Sequence, residues 1–158
     1  MKKLSIAWFS FSCCEDSTIV FTELLNDHFM EWRKILDIRV FPVLQRRENW
    51  DPIDVAFVEG AIADSKQEEK LKKLRIVATR LVAIGACACT GMPSMQRNSF
   101  SEEQKKAIQP IIERFAYGPT VRKVSDIVTV DAVVPGCPMD EKAFLAVLDK
   151  YVKEFGVG

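Results

Sequence analysis

The chain has 158 residues, 48% apolar and 28% charged, with 22 Lys plus Arg against 22 Asp plus Glu. That length suits one domain able to bury a core, and the balanced charge argues against a nucleic-acid partner. No apolar run approaches the roughly 18 residues needed to cross a membrane. The start, Met1-Lys2-Lys3 and then apolar residues 4–9, is basic then apolar like a signal peptide. Its apolar stretch is short and leads into Ser12-Cys13-Cys14-Glu15-Asp16 rather than a small-residue cleavage site. It therefore reads as the first strand of a cytoplasmic protein.

Residues 4–9 are expected to form a short buried strand. Residues 17–34 read as one helix, because Ile19, Val20, Leu24, Leu25, Phe29 and Trp32 recur mostly at three- and four-residue steps, with Asp16 or Ser17 as N-cap. Residues 36–43 form a β-branched, apolar second strand that ends near Pro42 and the polar stretch 45–49. A third strand, 53–58, runs into Glu59-Gly60. The charged segment 65–77 is helical, with Leu71, Leu74 and Val77 on one face. A fourth strand, 80–85, delivers Cys87, and a polar loop follows. The next helix spans 101–115, with a Ser101 cap, an acidic first turn and an interruption at Pro110. Residues 127–134 are extended and lead into Pro135-Gly136-Cys137-Pro138. Asp140 opens a last helix carrying Phe144, Leu145, Val147, Leu148 and Tyr151. No repeat, low-complexity tract or linker interrupts the chain, so residues 1–158 read as a single domain.

Strands alternating with helices predict an α/β fold, a parallel sheet covered on both faces. Ligands of such sheets sit beyond the carboxyl ends of the strands. The five cysteines, Cys13, Cys14, Cys87, Cys89 and Cys137, make a poor disulfide framework: the count is odd and four of them are adjacent or nearly so. Disulfides also seldom persist in the cytosol, and buried apolar cysteine accounts for one or two such residues rather than five. Cys13 and Cys14 follow the first strand, Cys87 the fourth and Cys137 the last, which delivers distant cysteines to one sheet edge.

Soft thiolates without histidine select zinc or iron–sulfur chemistry. The one histidine, His28, lies mid-helix beside Asp27 and reads as a surface or half-buried side chain. A lone histidine also disfavours Ser-His-Asp and Cys-His nucleophilic schemes. Zinc on four cysteines usually brings paired C-x2-4-C knuckles. The spacing here suits a [4Fe-4S] cluster on four cysteines better. Gly85 and Gly136 would let backbone approach such a cluster, and the helix after Cys13-Cys14 would aim its positive end at it.

Gly85-Ala86-Cys87-Ala88-Cys89-Thr90-Gly91-Met92-Pro93-Ser94-Met95-Gln96-Arg97-Asn98 resembles the "G-x-C-A…G…P…N" segment of cytosolic [NiFe]-hydrogenase small subunits. Val130-Asp131-Ala132-Val133-Val134-Pro135-Gly136-Cys137-Pro138 is similar to that family's "V-D-x-x-x-P-G-C-P". Val58-Glu59-Gly60-Ala61-Ile62 resembles its "V-E-G-x-I", and Cys14-Glu15-Asp16-Ser17 its "C-E-x-S". The matches run in family order over nearly the whole chain. The resemblance implies a flavodoxin-like fold and one [4Fe-4S] cluster. It also implies a partner large subunit that holds the nickel–iron site, and further iron–sulfur or flavin subunits. This chain would then be the non-catalytic electron relay of a hydrogenase-type oxidoreductase.

By the same resemblance, Cys14, Cys87 and Cys137 map onto cluster ligands. The family's first site is C-x-x-C, and here Phe11 stands where its first cysteine would be. The related cluster subunit of respiratory complex I uses an adjacent pair, which points to Cys13 as the fourth ligand, with Cys89 as the alternative.

Glu15 and Glu59 read either as proton-path or interface carboxylates or as capping and loop carboxylates. Met92, Pro93 and Met95 suit a subunit interface or ordinary loop packing. Trp8, Phe9 and Phe11 either pack under the cluster or face a partner, and Arg46, Arg47 and Trp50 mark an exposed connection. Three other functions compete. The adjacent cysteines favour a complex I-like relay to a quinone or other acceptor. A flavin carrier would need a phosphate-cradling loop where Cys13-Cys14 stands. The third is a zinc-stabilised structural module.

Overall fold

Apolar strands and amphipathic helices alternate in a computed structural model whose described residues are 2–44 and 50–157. In chain order the elements are β1 (Leu4–Ser10), α1 (Asp16–Asp27), α2 (Phe29–Ile35), β2 (Leu36–Val40), β3 (Ile53–Glu59) and α3 (Ser65–Val77). There follow β4 (Ala78–Ile84), α4 (Gly85–Thr90), α5 (Glu102–Arg114), β5 (Ala132–Val134) and α6 (Glu141–Glu154). Two 3-10 segments, Ser94–Ser99 and Val124–Asp126, join them. The strands pair in the order β2-β1-β3-β4-β5, every ladder parallel, which is a flavodoxin-like α/β sheet.

The central strands are buried on both faces, as a sheet sandwiched between helices requires. On one face, α1, α2 and α6 close an aromatic core around Trp8, Phe21, Trp32, Phe57 and Phe144. Trp8 stacks on Phe21 with centroids 4.4 Å apart, and Phe144 meets both rings edge-on. On the other face, Leu71 and Leu74 of α3 pack with Phe9, Ile53, Val58 and Leu81.

The structure departs from the sequence expectations in five places. The helix expected over 17–34 breaks at His28, whose carbonyl receives the Glu31 and Trp32 amides and so starts α2 afresh. The break turns Trp32 into the core beside Phe21 while His28 stacks on its outer side at 5.0 Å. The segment after β4, expected as loop, is the helix α4. Pro110 lies inside α5 without interrupting it. That helix is exposed along most of its length, so water can meet the carbonyl that the proline leaves without a donor. Only Ala132–Val134 of the extended run 127–134 pairs with β4. The second strand stops at Val40 rather than at residue 43.

Trp50 is not simply part of an exposed connection. It packs on Phe9 with centroids 5.0 Å apart, under the ammonium of Lys73. Arg46 and Arg47 lie outside the described residues. Among the described residues no helix is long and apolar enough to cross a membrane.

Phe144 is fully buried and touches four aromatic rings. Phe144→Ala is expected to lower the unfolding free energy by about 3–5 kcal/mol, measured by denaturant titration with an unchanged m-value.

Candidate functional site

The chain leaves its strands at one edge of the sheet, and the cysteines sit where it does so. Cys13 and Cys14 lie in the turn between β1 and α1, Cys87 in α4 directly after β4, and Cys137 in the turn after β5. These four line one cavity together with Glu59, Gly85 and Gly136. They also line an adjoining opening that adds Phe11, Ser94 and Tyr117. Cys87 is buried, Cys13 is half-buried, and Cys14 and Cys137 are exposed. The cavity thus has a closed inner side and an open outer one.

Cys89 takes no part. Two residues along an α-helix turn a side chain through about 200°, so Cys87 and Cys89 leave α4 in nearly opposite directions. The Cys89 thiol lies 3.4 Å from the Ala83 carbonyl and 3.7 Å from that of Val134. It packs into the α3-side core, where burial raises its pKa.

Glu59, only 3% exposed, ends β3 against the start of α1. Its carboxylate accepts the amides of Ser17 and Thr18 at 3.0 Å each and the Thr18 hydroxyl at 2.7 Å. Because Thr18 spends its one hydroxyl hydrogen there, its oxygen is left to accept from Trp8 Nε1 at 2.8 Å and from Ser10 Oγ at 2.9 Å. Glu59 is therefore a capping carboxylate that takes up the Ser17 and Thr18 amides, while the Asp16 amide at the start of α1 is directed at the Cys14 sulfur. Glu15, the N-cap residue of α1, has φ 64° and supplies no side-chain cap. Burial and the neighbouring Glu59 charge push the Cys13 thiol up to about 12. Such a sulfur becomes a thiolate when a cation binds it.

Short polar ties fix the cysteine-bearing turns to one another. The Ala86 amide donates to the Gly136 carbonyl at 2.7 Å, and the Met139 amide donates to Ser17 Oγ at 3.1 Å. Gly85, at φ +75°, leaves room for that hydroxyl, since a Cβ there would lie 3.0 Å from it. Gly136, at φ +117°, turns so tightly that a Cβ would meet the Pro138 carbonyl at 2.4 Å. Asn98 clamps Val121 through both of its amide atoms, at 2.7 and 2.8 Å.

A family described as "NADH ubiquinone oxidoreductase, 20 Kd subunit" matches residues 13–151. The chain belongs to this family. It is 30% identical over 132 residues to the sulfhydrogenase 2 subunit delta of Pyrococcus furiosus, covering 78% of this chain and 52% of that one. It is 27% identical over 120 residues to the NAD-reducing hydrogenase HoxS subunit delta of Cupriavidus necator, covering 62% and 54%. The chain spans about half the length of these curated relatives. Its fold superposes on a chain of an NAD+-reducing [NiFe]-hydrogenase in the H2-reduced state with a TM-score of 0.78 and 25% identity, covering 96% of this chain and 92% of that one.

The donor chemistry fits an iron–sulfur group. A tetrahedral zinc ion with 2.3 Å bonds needs its sulfurs roughly 3.8 Å apart. Among the described residues no three His, Cys, Asp or Glu side chains gather closely enough to hold one ion. Four thiols and no histidine line the cavity and its adjoining opening, a soft donor set of the kind iron–sulfur groups take. His28 lies elsewhere, stacked on Trp32 and 3.7 Å from Glu31. Of the other candidates, Trp8 and Phe9 are core residues, while half-buried Phe11 lines the outer opening. Met92 is 44% exposed, and Met95 packs inward beside Cys87.

Two contributors carry no sequence signal. Thr18 and Ser94 are hydroxyl residues whose partners, Glu59 and Cys87, are distant in sequence or lie across a turn.

Glu59→Ala strips three hydrogen bonds from the start of α1, so the unfolding free energy is expected to fall by about 1–3 kcal/mol. Glu59→Gln, which keeps one acceptor oxygen, should lose less. Denaturant unfolding of the three proteins side by side checks the order.

Proposed function

We propose that this chain is the electron-relay subunit of a [NiFe]-hydrogenase-type complex and holds one [4Fe-4S] cluster on Cys13, Cys14, Cys87 and Cys137. In this reading residues 1–158 act as a single iron–sulfur domain in the cytoplasm. The observation that carries it is that four thiols from three separate segments of the chain line one cavity at the carboxyl edge of the sheet, while Cys89 points away from it. When bound, a [4Fe-4S] cluster supplies a carrier whose potential depends on charge, exposure and hydrogen bonds to sulfur.

The protein's own part is to hold and orient. Cys87 anchors the inner side, and the half-buried Cys13 stands beside it. Cys14 and Cys137 form the exposed side. That open side, lined in part by Pro93, faces a partner large subunit carrying the nickel–iron site. Further iron–sulfur or flavin subunits take the electrons onward. Bond-making and bond-breaking belong to the partner, so no residue of this chain is assigned a catalytic role. Support for this partner comes from the hydrogenase subunits to which the chain is similar.

A second reading, a complex I-like relay to a quinone or other acceptor, is favoured by the family description and by the adjacent Cys13-Cys14 pair. Nickel in the natively isolated complex separates the two: its presence supports the hydrogenase-type partner, and a nickel-free complex that reduces quinone supports the other.

Anaerobically purified protein is expected to be brown, with about four irons per chain. C13S, C14S, C87S and C137S should each lose iron, and C89S should keep it. A colourless, zinc-containing protein would contradict the cluster. Iron lost from C89S but retained by C13S would contradict the ligand set.

A further inference from the structure

The 3-10 segment Ser94–Ser99 begins beside the innermost cysteine. Ser94 Oγ lies 3.6 Å from Cys87 Sγ and 3.4 Å from the Ser12 carbonyl oxygen. A hydroxyl carries one hydrogen and can serve one of these acceptors at a time. The Ser12 carbonyl already receives the Ala61 amide at 3.0 Å, so it keeps a partner if the hydroxyl turns away. The sulfur has more to gain. As a metal-bound thiolate it carries negative charge, and hydrogen bonds to charged acceptors are roughly twice as strong as neutral ones.

The position of Ser94 is held from both sides. The Met95 amide donates to the Gly91 carbonyl at 2.7 Å. Further along the same segment, Asn98 is clamped to Val121, which packs in the small cluster containing Cys87. Cys87 is 8% exposed, the most buried of the cavity cysteines, so water competes little for its sulfur.

Resting on the cluster reading above, we infer that Ser94 is a positioning residue that tunes this site. Its hydroxyl donates to the Cys87 sulfur and favours the reduced, more negative state of the bound group. The electron added on reduction increases the charge on the sulfurs, so a fixed donor is worth more after reduction than before it, and the potential rises.

The test is an EPR-monitored redox titration of the anaerobically isolated complex carrying wild-type chain, S94A or S94T, with iron counted in each. S94A is expected to retain its iron and to have a lower midpoint potential. At fixed ambient potential its ratio of reduced to oxidised cluster should fall about three- to tenfold, tenfold corresponding to about 59 mV for a one-electron couple. S94T keeps the hydroxyl and should stay near wild type.

Equal potentials for iron-loaded S94A and wild type would overturn the tuning role and leave the cluster reading intact. Absence of iron from the wild-type complex would overturn both. If S94A loses its iron, S94G takes its place. Loss from both, with retention by S94T, would assign the hydroxyl to assembly and overturn the tuning role.

Discussion

In an all-parallel sheet every strand must leave through the same edge, and that constraint underlies everything else in this molecule. The strands run in the order β2-β1-β3-β4-β5 with no antiparallel neighbour, so the turns after β1, β4 and β5 emerge side by side. Cysteines more than 120 positions apart, such as Cys13 and Cys137, thereby share one cavity. The sheet itself is fixed by burial on both faces. An aromatic layer under α1 and α6 and a second apolar layer under α3 cover its two faces.

At the rim the turns are tied by polar groups rather than by apolar packing. Glu59 joins the end of β3 to the start of α1, Ser17 joins α1 to the turn holding Cys137, and the Ala86–Gly136 bond joins α4 to that same turn. Each tie satisfies a backbone group that would otherwise be buried without a partner. The start of α1 divides its amides between Glu59 and the cavity cysteines. The Ser17 and Thr18 amides of α1 are committed to Glu59, and the Glu59 charge adds to burial in raising the Cys13 pKa, against the lowering effect of the Glu15 amide. A bound cation adds positive charge to what the Glu15 and Asp16 amides offer the Cys13 and Cys14 sulfurs.

Much of this was legible in the sequence because its signals are local. The boundaries of α3 coincide with the charged, periodic segment 65–77, and Asp140 caps α6 through the Ala143 amide as its position suggests. The types of the site residues and the edge they occupy also followed from strand order. What stayed hidden depends on tertiary context. α4 is six small residues, Gly-Ala-Cys-Ala-Cys-Thr, without apolar periodicity, and its helical form is what turns Cys89 away from Cys87. The break at His28 serves the burial of Trp32, which no local residue preference announces. The run 127–134 looks like a strand throughout, yet Asp131 folds its carboxylate onto the Leu81 amide at 2.8 Å and pairing begins only beyond it. The role of Glu59 required knowing that β3 ends against α1.

The central claim is that thiols from two turns and the helix α4 enclose one iron–sulfur group while the fifth cysteine stays outside. Diffraction from anaerobically grown crystals of the native complex, with anomalous maps computed at the iron edge, tests it most directly. One compact iron peak is expected in this chain, bonded to the sulfurs of Cys13, Cys14, Cys87 and Cys137, with Cys89 still directed at the Ala83 carbonyl. Iron bonded to Cys89, or no iron in the cavity of a complex shown to be intact, would contradict it.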